Sequence, residues 1–375
     1  MKVLSVGPET SLFNEKSPAR GRIASYGQLC DELHIVVPST KKSGPVAIAS
    51  NVFVYSTNSW SLVTGFFDTV LSIVRIVREK RFDPQQDLIS AQDPFEMGFA
   101  CWVAHILTGL PLHIQVHIDF FSPYYKRESI RNFFQFFLAK FVIRQAASIR
   151  AVSKKIEAYL LAQGIAASRI TTAPVYTDPQ EVQASHGQGL GEKYPAFYPI
   201  VLCMSRLVKQ KNIPLAVSAF KEFVVNHPEA GLVIVGSGSE EEKIKRLVQK
   251  EGLEKHVIFE PWTNDRYSYF KTANIFLLTS DYEGWGLTCV EAAIAGTPVV
   301  MTDVGCAGEF IIDRDNGLVV SARDRDAVIH ALHTLTQDTV LRDQLIKNGL
   351  QSARLLPSRA RYNQLLVTSW QKAFL

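Results

Sequence analysis

Residues Ile275–Thr302 read IFLLTSDYEGWGLTCVEAAIAGTPVVMT. An apolar run, Ile275–Thr279, leads into a polar loop broken by Gly284 and Gly286. A helical stretch, Leu287–Ala295, follows, and a second apolar run, Pro298–Thr302, closes the segment. Strand, helix and strand in this order predict a parallel pair joined by a crossover helix, with strands apolar throughout because both faces are covered.

The same alternation extends in both directions. Upstream, Ile200–Ser205, Gly231–Val235 and Val257–Glu260 read as strands, with helices predicted over Pro214–Asn226, Glu240–Glu251 and Asp265–Thr272. The first half repeats the pattern, with strands predicted at Lys2–Val6, His34–Val37, Val52–Tyr55, Asp87–Ser90, His113–His117, Ser148–Val152 and Arg169–Thr172. Between the halves, Pro179–Pro199 is polar, rich in Gly and Pro and without periodicity, which predicts a linker. The expected fold class is α/β: two Rossmann-like, doubly wound parallel-sheet domains, 1–180 and 195–355, facing a central cleft. The helix in 359–375 is expected to pack back on the first domain. A length of 375 residues suits two such domains.

Composition narrows the function. The chain is 47% hydrophobic and 20% charged, with a net charge of only +4, and carries no nucleic-acid module signature. Five scattered cysteines form no CxxC pair and predict buried free thiols in a reducing compartment. MKVLSVGPETS is too short an apolar run for a signal peptide and reads as a first strand; no run approaches ~18 apolar residues. The expected location is cytoplasmic, with attachment to the inner face of a membrane left open.

Three loops after strands carry chemistry. In Ser205–Asn212, SRLVKQKN, Arg206 and Lys211 leave one strand end, where a guanidinium fork and an ammonium suit a diphosphate; two solvated surface cations are the plainer explanation. In Val233–Ile244, VIVGSGSEEEKI, Gly236 and Gly238 precede a helix and permit close approach of a nucleotide. Glu241 occupies the third glycine position of a dinucleotide fingerprint, so an ordinary turn fits as well. In the opening stretch, the start of the helix at Leu287 presents free N–H groups suited to phosphate, around Gly286, Leu287 and Thr288. A carboxylate beside phosphate would repel it, so Glu283 and Glu291 are better read as acceptors for sugar and ribose hydroxyls. The plainer role is an acid near a helix start, worth ~0.3–1 kcal/mol.

SRLVKQKN, GSGSEEEKI, EGWGLTCVE, AGTPVV and GCAGEFI, in this order and spacing, resemble the nucleotide-binding half of the retaining glycosyltransferases of the GT-B fold (group 1, family 4). The resemblance is close over Ile200–Val320 and looser over the first half. It implies transfer of a hexose or N-acetylhexosamine from a UDP- or GDP-sugar donor to a glycan or lipid-linked acceptor. No cofactor is implied and, since no DxD or His/Cys cluster is visible, no metal. By resemblance Glu283 binds donor-sugar hydroxyls, Glu291 the ribose, and Arg206 and Lys211 the diphosphate. Gly286, Leu287 and Thr288 take phosphate oxygens, Trp262 and its neighbours meet the base, and Gly236 lies near the nucleotide. His117 points at the donor sugar, and Gly7 lies near the donor phosphate. Three positions depart from the family pattern: Asn212 stands for a glycine, Trp285 for another aromatic, and Gly305-Cys306 for a glycine pair. Around Gly7, PETSLFNEKSPARG replaces a glycine-rich loop, with Arg20 and Arg22 as acceptor contacts or solvated cations.

The stretch Phe120–Gln145 interleaves aromatics and cations. A helix lying on an anionic membrane surface accounts for it, as does a core helix with a basic outer edge. Two other functional classes remain: a GT-B sugar phosphorylase, and a catalytically silent partner that binds sugar nucleotides.

Overall fold

The computed structural model describes residues 1–185, 189–263 and 265–375, with the side chains of Leu62 and Val63 excepted. The chain forms two α/β units. One comprises Met1–His117, Ser129–Pro174 and Arg359–Leu375; the other comprises Ile118–Glu128 and Val175–Ser358.

The first unit holds strands β1 (Lys2–Val6), β2 (Glu32–Val37), β3 (Val46–Ala49), β4 (Val52–Ser56), β5 (Leu88–Ala91), β6 (Leu112–Val116), β7 (Ser148–Ala151) and β8 (Ile170–Thr172). They lie in the order β3-β4-β2-β1-β5-β6-β7-β8, all parallel except β3 against β4. The sequence reading missed β3, a four-residue antiparallel edge strand too short to show a pattern. Helices α1 (Pro18–Gly27), α2 (Leu62–Glu79) and α3 (Glu96–Thr108) are followed, past a segment of the second unit, by α5 (Ile130–Gln145) and α6 (Lys154–Ala162). Crossovers from β4 through β7 all step in one direction, so right-handedness puts α2, α3 and α5 on one face of the sheet and α1 on the other. Accordingly α2 packs on α3 and α3 on α5. On the opposite side, Ala19 and Ile23 of α1 share a core with Trp370 of the final helix α15 (Arg359–Gln371).

The stretch read as one continuous helical segment, Phe120–Gln145, is instead two helices. The first, α4 (Pro123–Glu128), belongs to the second unit and buries Tyr125, as the preceding loop buries Phe120. Ser129 then caps α5, its hydroxyl accepting the Asn132 N–H at 3.0 Å. A serine in extended conformation ends one helix and starts another, so the aromatics divide between two surroundings.

The second unit adds α7 (Pro179–Ala184), α8 (Leu190–Lys193), α9 (Ile213–Asn226), α10 (Glu241–Lys250), α11 (Arg266–Thr272), α12 (Leu287–Ile294), α13 (Arg325–Gln337) and α14 (Thr339–Ser352). These cover a parallel sheet of β9 (Ile200–Met204), β10 (Gly231–Val235), β11 (Val257–Glu260), β12 (Ile275–Leu278), β13 (Val299–Thr302) and β14 (Leu318–Val320), ordered β11-β10-β9-β12-β13-β14. Between α9 and α13 the core is filled by Phe220, Phe223, Leu332 and Leu335 against Val201, Leu232 and Val300. The predicted linker holds two short helices too brief for periodicity, and both pack on this unit: α7 on α12 and α8 on α11. Positions 186–188 of that stretch lie outside the described residues.

Strand order reverses between β9 and β12, so the chain runs outward from this pair in both directions. Loops leaving the carboxyl ends of such a pair diverge and open a crevice, which is where α/β sheets bind ligands. The loops in question are Ser205–Asn212 and Thr279–Gly286. The first unit has its own switch point between β1 and β5, followed by Gly7 and by Gln92–Asp93.

Candidate functional site

At the second switch point the Lys211 Nζ forms an ion pair with Glu283 Oε1, although the residues are 72 positions apart. Ser280 Oγ donates to the same carboxylate oxygen at 2.7 Å. Gln210 Nε2 donates to the Tyr282 carbonyl at 2.9 Å and reaches Glu283 Oε2 at 3.5 Å. Thr279 Oγ1 in turn donates to the carbonyls of Lys211 and Asn212, at 3.2 and 3.1 Å, tying the two loops together. Among the sequence-predicted residues, Lys211 and Glu283 are therefore brought into direct contact. Arg206 stays exposed on the same loop, with no side-chain partner among the described residues.

Asn212 accounts for one departure from the family pattern. Its φ is +44°, a left-handed conformation that glycine favours and asparagine tolerates. Its side-chain amide donates to Asp281 Oδ1 at 2.9 Å, and the Arg323 fork grips the same carboxylate at 3.0 and 2.7 Å. Asp281 thus braces the turn before Glu283, and Arg323 also stacks its guanidinium 4.3 Å from the Tyr124 ring. Next to it, Tyr282 donates to Glu128 Oε2 at 2.6 Å and meets the Tyr125 ring edge-on. Burial and this carboxylate drive the Tyr282 hydroxyl far above its ordinary pKa, so it remains a donor. Nothing in the composition of Ile118–Glu128 or near Arg323 marked either as a support of this loop.

Gly286 precedes α12 with φ +84°, a position that disfavours any side chain bearing a Cβ, and it offers no side-chain cap. The first N–H groups of the helix, at Leu287 and Thr288, consequently have no intrahelical acceptor, and both residues are only partly covered. One turn further in, Glu291 is almost wholly buried. It accepts from Arg266 Nη2 at 3.0 Å, from Arg266 Nε at 3.2 and 3.3 Å, and from the Tyr267 hydroxyl at 3.4 Å. Burial raises its pKa, with the Arg266 fork opposing. Arg266 was not anticipated from sequence, though a cation opening α11 at the positive end of the helix dipole is a placement that calls for a partner.

The glycines of GSGS pack against protein. A Cβ on Gly236 would stand 1.9 Å from the Ser205 carbonyl oxygen, and one on Gly238 2.3 Å from that of Leu207. Backbone bonds Leu207 N–Ser237 O (2.8 Å) and Glu240 N–Leu207 O (2.9 Å) lock these loops together. The close approach read from these glycines is thus made to the SRLV loop. Trp262 stands half-exposed beyond β11, while Glu260 at that strand end is held by Lys193 and Tyr269, each at 2.5 Å, and by Tyr194. Trp285, nearly buried, leaves its indole N–H without an acceptor among the described residues.

In the first unit His117 is exposed after β6, its Nε2 3.0 Å from Gln115 Oε1. Gly7 lies against the Gln92 side chain. The neighbouring Asp93 accepts the Phe95 N–H at 2.8 Å, and burial pushes its carboxyl up to about 6. Arg20 donates to the Ala47 carbonyl at 3.4 Å and Arg22 lies 3.6 Å from Glu9. Four of the five cysteines are buried and none is paired. Among the described residues no three or more His, Cys, Asp or Glu side chains gather as a metal site, and no helix is long and apolar enough to cross a membrane.

A family model described as "Glycosyl transferases group 1" matches residues 193–352, and one described as "Glycosyl transferase 4-like domain" matches 23–175. The poly(glycerol-phosphate) alpha-glucosyltransferase of Bacillus subtilis is 36% identical over 148 residues, 39% of this chain and 21% of that protein. A GDP-mannose-dependent alpha-(1-6)-phosphatidylinositol monomannoside mannosyltransferase of Mycolicibacterium smegmatis is 31% identical over 159 residues, 40% of each chain. The chain thus spans less than half the length of these curated relatives. Among solved structures, sucrose-phosphate synthase from Thermosynechococcus elongatus matches with a TM-score of 0.84 at 19% identity, over 100% of this chain and 99% of that one. Anabaena HepE in complex with UDP-glucose matches at 0.74 and 18% identity, over 100% and 98%. With two doubly wound units, the ordered loops after β9, β10 and β12 and both family domains in place, the chain belongs to the GT-B-fold glycosyltransferases of the group 1 family.

Proposed function

We propose that the chain transfers a hexose or N-acetylhexosamine, with retention of anomeric configuration, from a nucleotide diphosphate sugar to a hydroxyl of a glycan or lipid-linked acceptor. The observation that carries this reading is the Lys211–Glu283 pair at the β9/β12 switch point, beside the uncapped start of α12. A cation, a carboxylate and free helix amides side by side suit a ligand that presents phosphate and hydroxyls together.

In this reading the α12 amides at Leu287 and Thr288, with Lys211 and Arg206, neutralise the diphosphate as it leaves, the work a metal would otherwise do. Glu283 accepts from hydroxyls of the sugar and Glu291 from those of the ribose, with Gly236 and Trp262 bordering the nucleotide. In the first unit, the proposal extends to His117 at the donor sugar and Gly7 at the donor phosphate. The bond from the anomeric carbon to the phosphate oxygen breaks and that to the acceptor oxygen forms on the same face. The acceptor's proton passes to the departing phosphate oxygen. Glu283, already engaged by Lys211 and Ser280, is better suited to hold hydroxyls than to abstract a proton. The B. subtilis and M. smegmatis relatives, named for a glucosyl and a GDP-mannose-dependent mannosyl transfer, support this substrate class.

Transfer of labelled sugar from UDP-glucose and GDP-mannose to a panel of simple glycosides and lipid acceptors tests the reading. Wild-type transfer that Glu283→Ala abolishes, without loss of folded structure, is expected. Phosphate-dependent release of sugar 1-phosphate, or unchanged transfer in the variant, would overturn it.

A further inference from the structure

In the first unit, helices α2, α3 and α5 carry a run of apolar side chains that are exposed among the described residues. On α5, Ile130, Phe134, Phe137 and Phe141 recur at intervals of four, three and four residues and so form a single stripe. This stripe faces out: Ile130 is 79% exposed, Phe134 66% and Phe137 52%, while Ala139, Val142 and Ile143 make the buried side. Stacked rings carry the surface onto the neighbouring helices. Phe141 meets Trp102 edge-on at 4.8 Å, Trp102 stacks on Phe99 at 5.3 Å, and Phe99 stacks on Phe66 at 5.5 Å. Phe67 and Leu71 of α2 and Ile106 and Leu107 of α3 are also exposed, as is Trp60 just before α2, at 93%. An uncovered apolar surface spread over three helices marks an interaction site.

Its charges select the partner. From Ile130 to Gln145 the chain has three cations, Arg131, Lys140 and Arg144, and no acid. Arg131 pairs with Glu96, whereas Lys140 and Arg144 have no ion-pair partner among the described residues; Lys140 lies over the Phe136 ring at 5.4 Å. Phenylalanines flanked by unpaired cations match a bilayer surface, with apolar side chains below the headgroups and positive charge at the level of anionic phosphates. A second copy on this face would bring the cations of two α5 helices together, which opposes self-association.

We propose that the outer face of α2, α3 and α5 docks on an anionic lipid bilayer, with Phe134 and Phe137 inserted at the acyl boundary and Lys140 and Arg144 on the headgroups. The inference is independent of the transfer reaction. It also relocates the surface expected from sequence: Phe120 and Tyr125 are buried and play no part, while Trp60, Phe67 and Ile106 join it.

Sedimentation of the full chain with phosphatidylcholine vesicles, with and without phosphatidylglycerol, tests it. Wild type is expected to bind the anionic vesicles and to be released by salt. Lys140→Ser with Arg144→Ser should weaken binding by roughly 25-fold, at about five-fold per cation. Phe134→Ser with Phe137→Ser should weaken it at least as much, and both variants should keep the wild-type melting profile because the altered side chains lie outside the core. Failure of wild type to bind anionic vesicles, or equal binding by wild type and both double variants, would overturn the proposal. Sensitivity of self-association, instead of vesicle binding, to the phenylalanine changes would point to a second copy and overturn it as well.

Discussion

Lys211 and Glu283 form an ion pair whose side chains are only 13% and 9% exposed. One belongs to the loop after β9 and the other to the loop after β12, so the pair joins the two edges of the switch point. Removing Lys211 would leave a nearly buried carboxylate with Ser280 and Gln210 as its remaining partners among the described residues. Lys211→Ala is expected to cost about 3–5 kcal/mol of stability in the second unit. Adding Glu283→Gln to it should restore part of that loss. Denaturant unfolding of both single variants and the double variant measures this coupling; strictly additive losses would show that the pair is not coupled.

Gly236 and Gly238 are expected to be intolerant of any side chain because their neighbours are backbone carbonyls that cannot rotate away. Gly236→Ala and Gly238→Ala should each destabilise the second unit by about 3 kcal/mol or more, a backbone-strain effect among the largest for single changes. Gly252 provides the contrast. It has φ +69°, but a Cβ there would meet no atom within 4 Å, so Gly252→Ala should cost only about 1 kcal/mol. Thermal melts of the three variants separate steric closure from conformational preference alone.

Asp93 gives a pH signature. Burial holds its folded-state pKa at about 6, above the ordinary value near 4, so the folded chain binds its proton more tightly than the unfolded chain does. Its contribution to stability is therefore fully present below about pH 4 and is lost as pH rises through about 6. Asp93→Asn keeps the side-chain oxygen that accepts the Phe95 N–H. The variant should melt above wild type at neutral pH, by up to about 2–3 kcal/mol, with the gain shrinking towards zero near pH 4. A pH-independent difference would show that burial does not act through the charge.

Tyr282 and Glu128 tie α4 to the loop that carries Glu283. Tyr282→Phe removes a charge-assisted bond and leaves Glu128 otherwise in place, so a loss of about 1.5–3 kcal/mol is expected. Combining it with Glu128→Gln should cost little more than the larger single change. Double-mutant unfolding decides this.

Much of the architecture was legible because continuous apolar strands such as Ile200–Met204 and Ile275–Leu278 alternate with helices, and that period survives without knowledge of contacts. The candidate site was legible where its residues fall within one loop: Glu283, Gly286 and the start of α12 all lie in a dozen residues. Partners from elsewhere were not. Arg266 reaches Glu291 from another helix, Arg323 reaches Asp281 across 42 positions, and Glu128 reaches Tyr282 across 154. The GSGS glycines illustrate the converse. Close approach of a nucleotide was read from them, and in the structure the Cβ positions of Gly236 and Gly238 are taken up by the carbonyls of Ser205 and Leu207. Edge strand β3 and the helices α7 and α8 escaped notice because elements of four to six residues carry too little pattern to stand out.

The central claim is that the β9/β12 switch point binds a nucleotide diphosphate sugar, with Lys211 on the diphosphate and Glu283 on the sugar. Its most direct test is calorimetric titration of wild type, Lys211→Ala and Glu283→Ala with UDP, GDP, UDP-glucose and GDP-mannose. Wild type should bind one sugar nucleotide more tightly than its parent diphosphate. Glu283→Ala should lose that increment while still binding the diphosphate, and Lys211→Ala should weaken both. Undiminished binding of the sugar nucleotide by both variants would contradict the account.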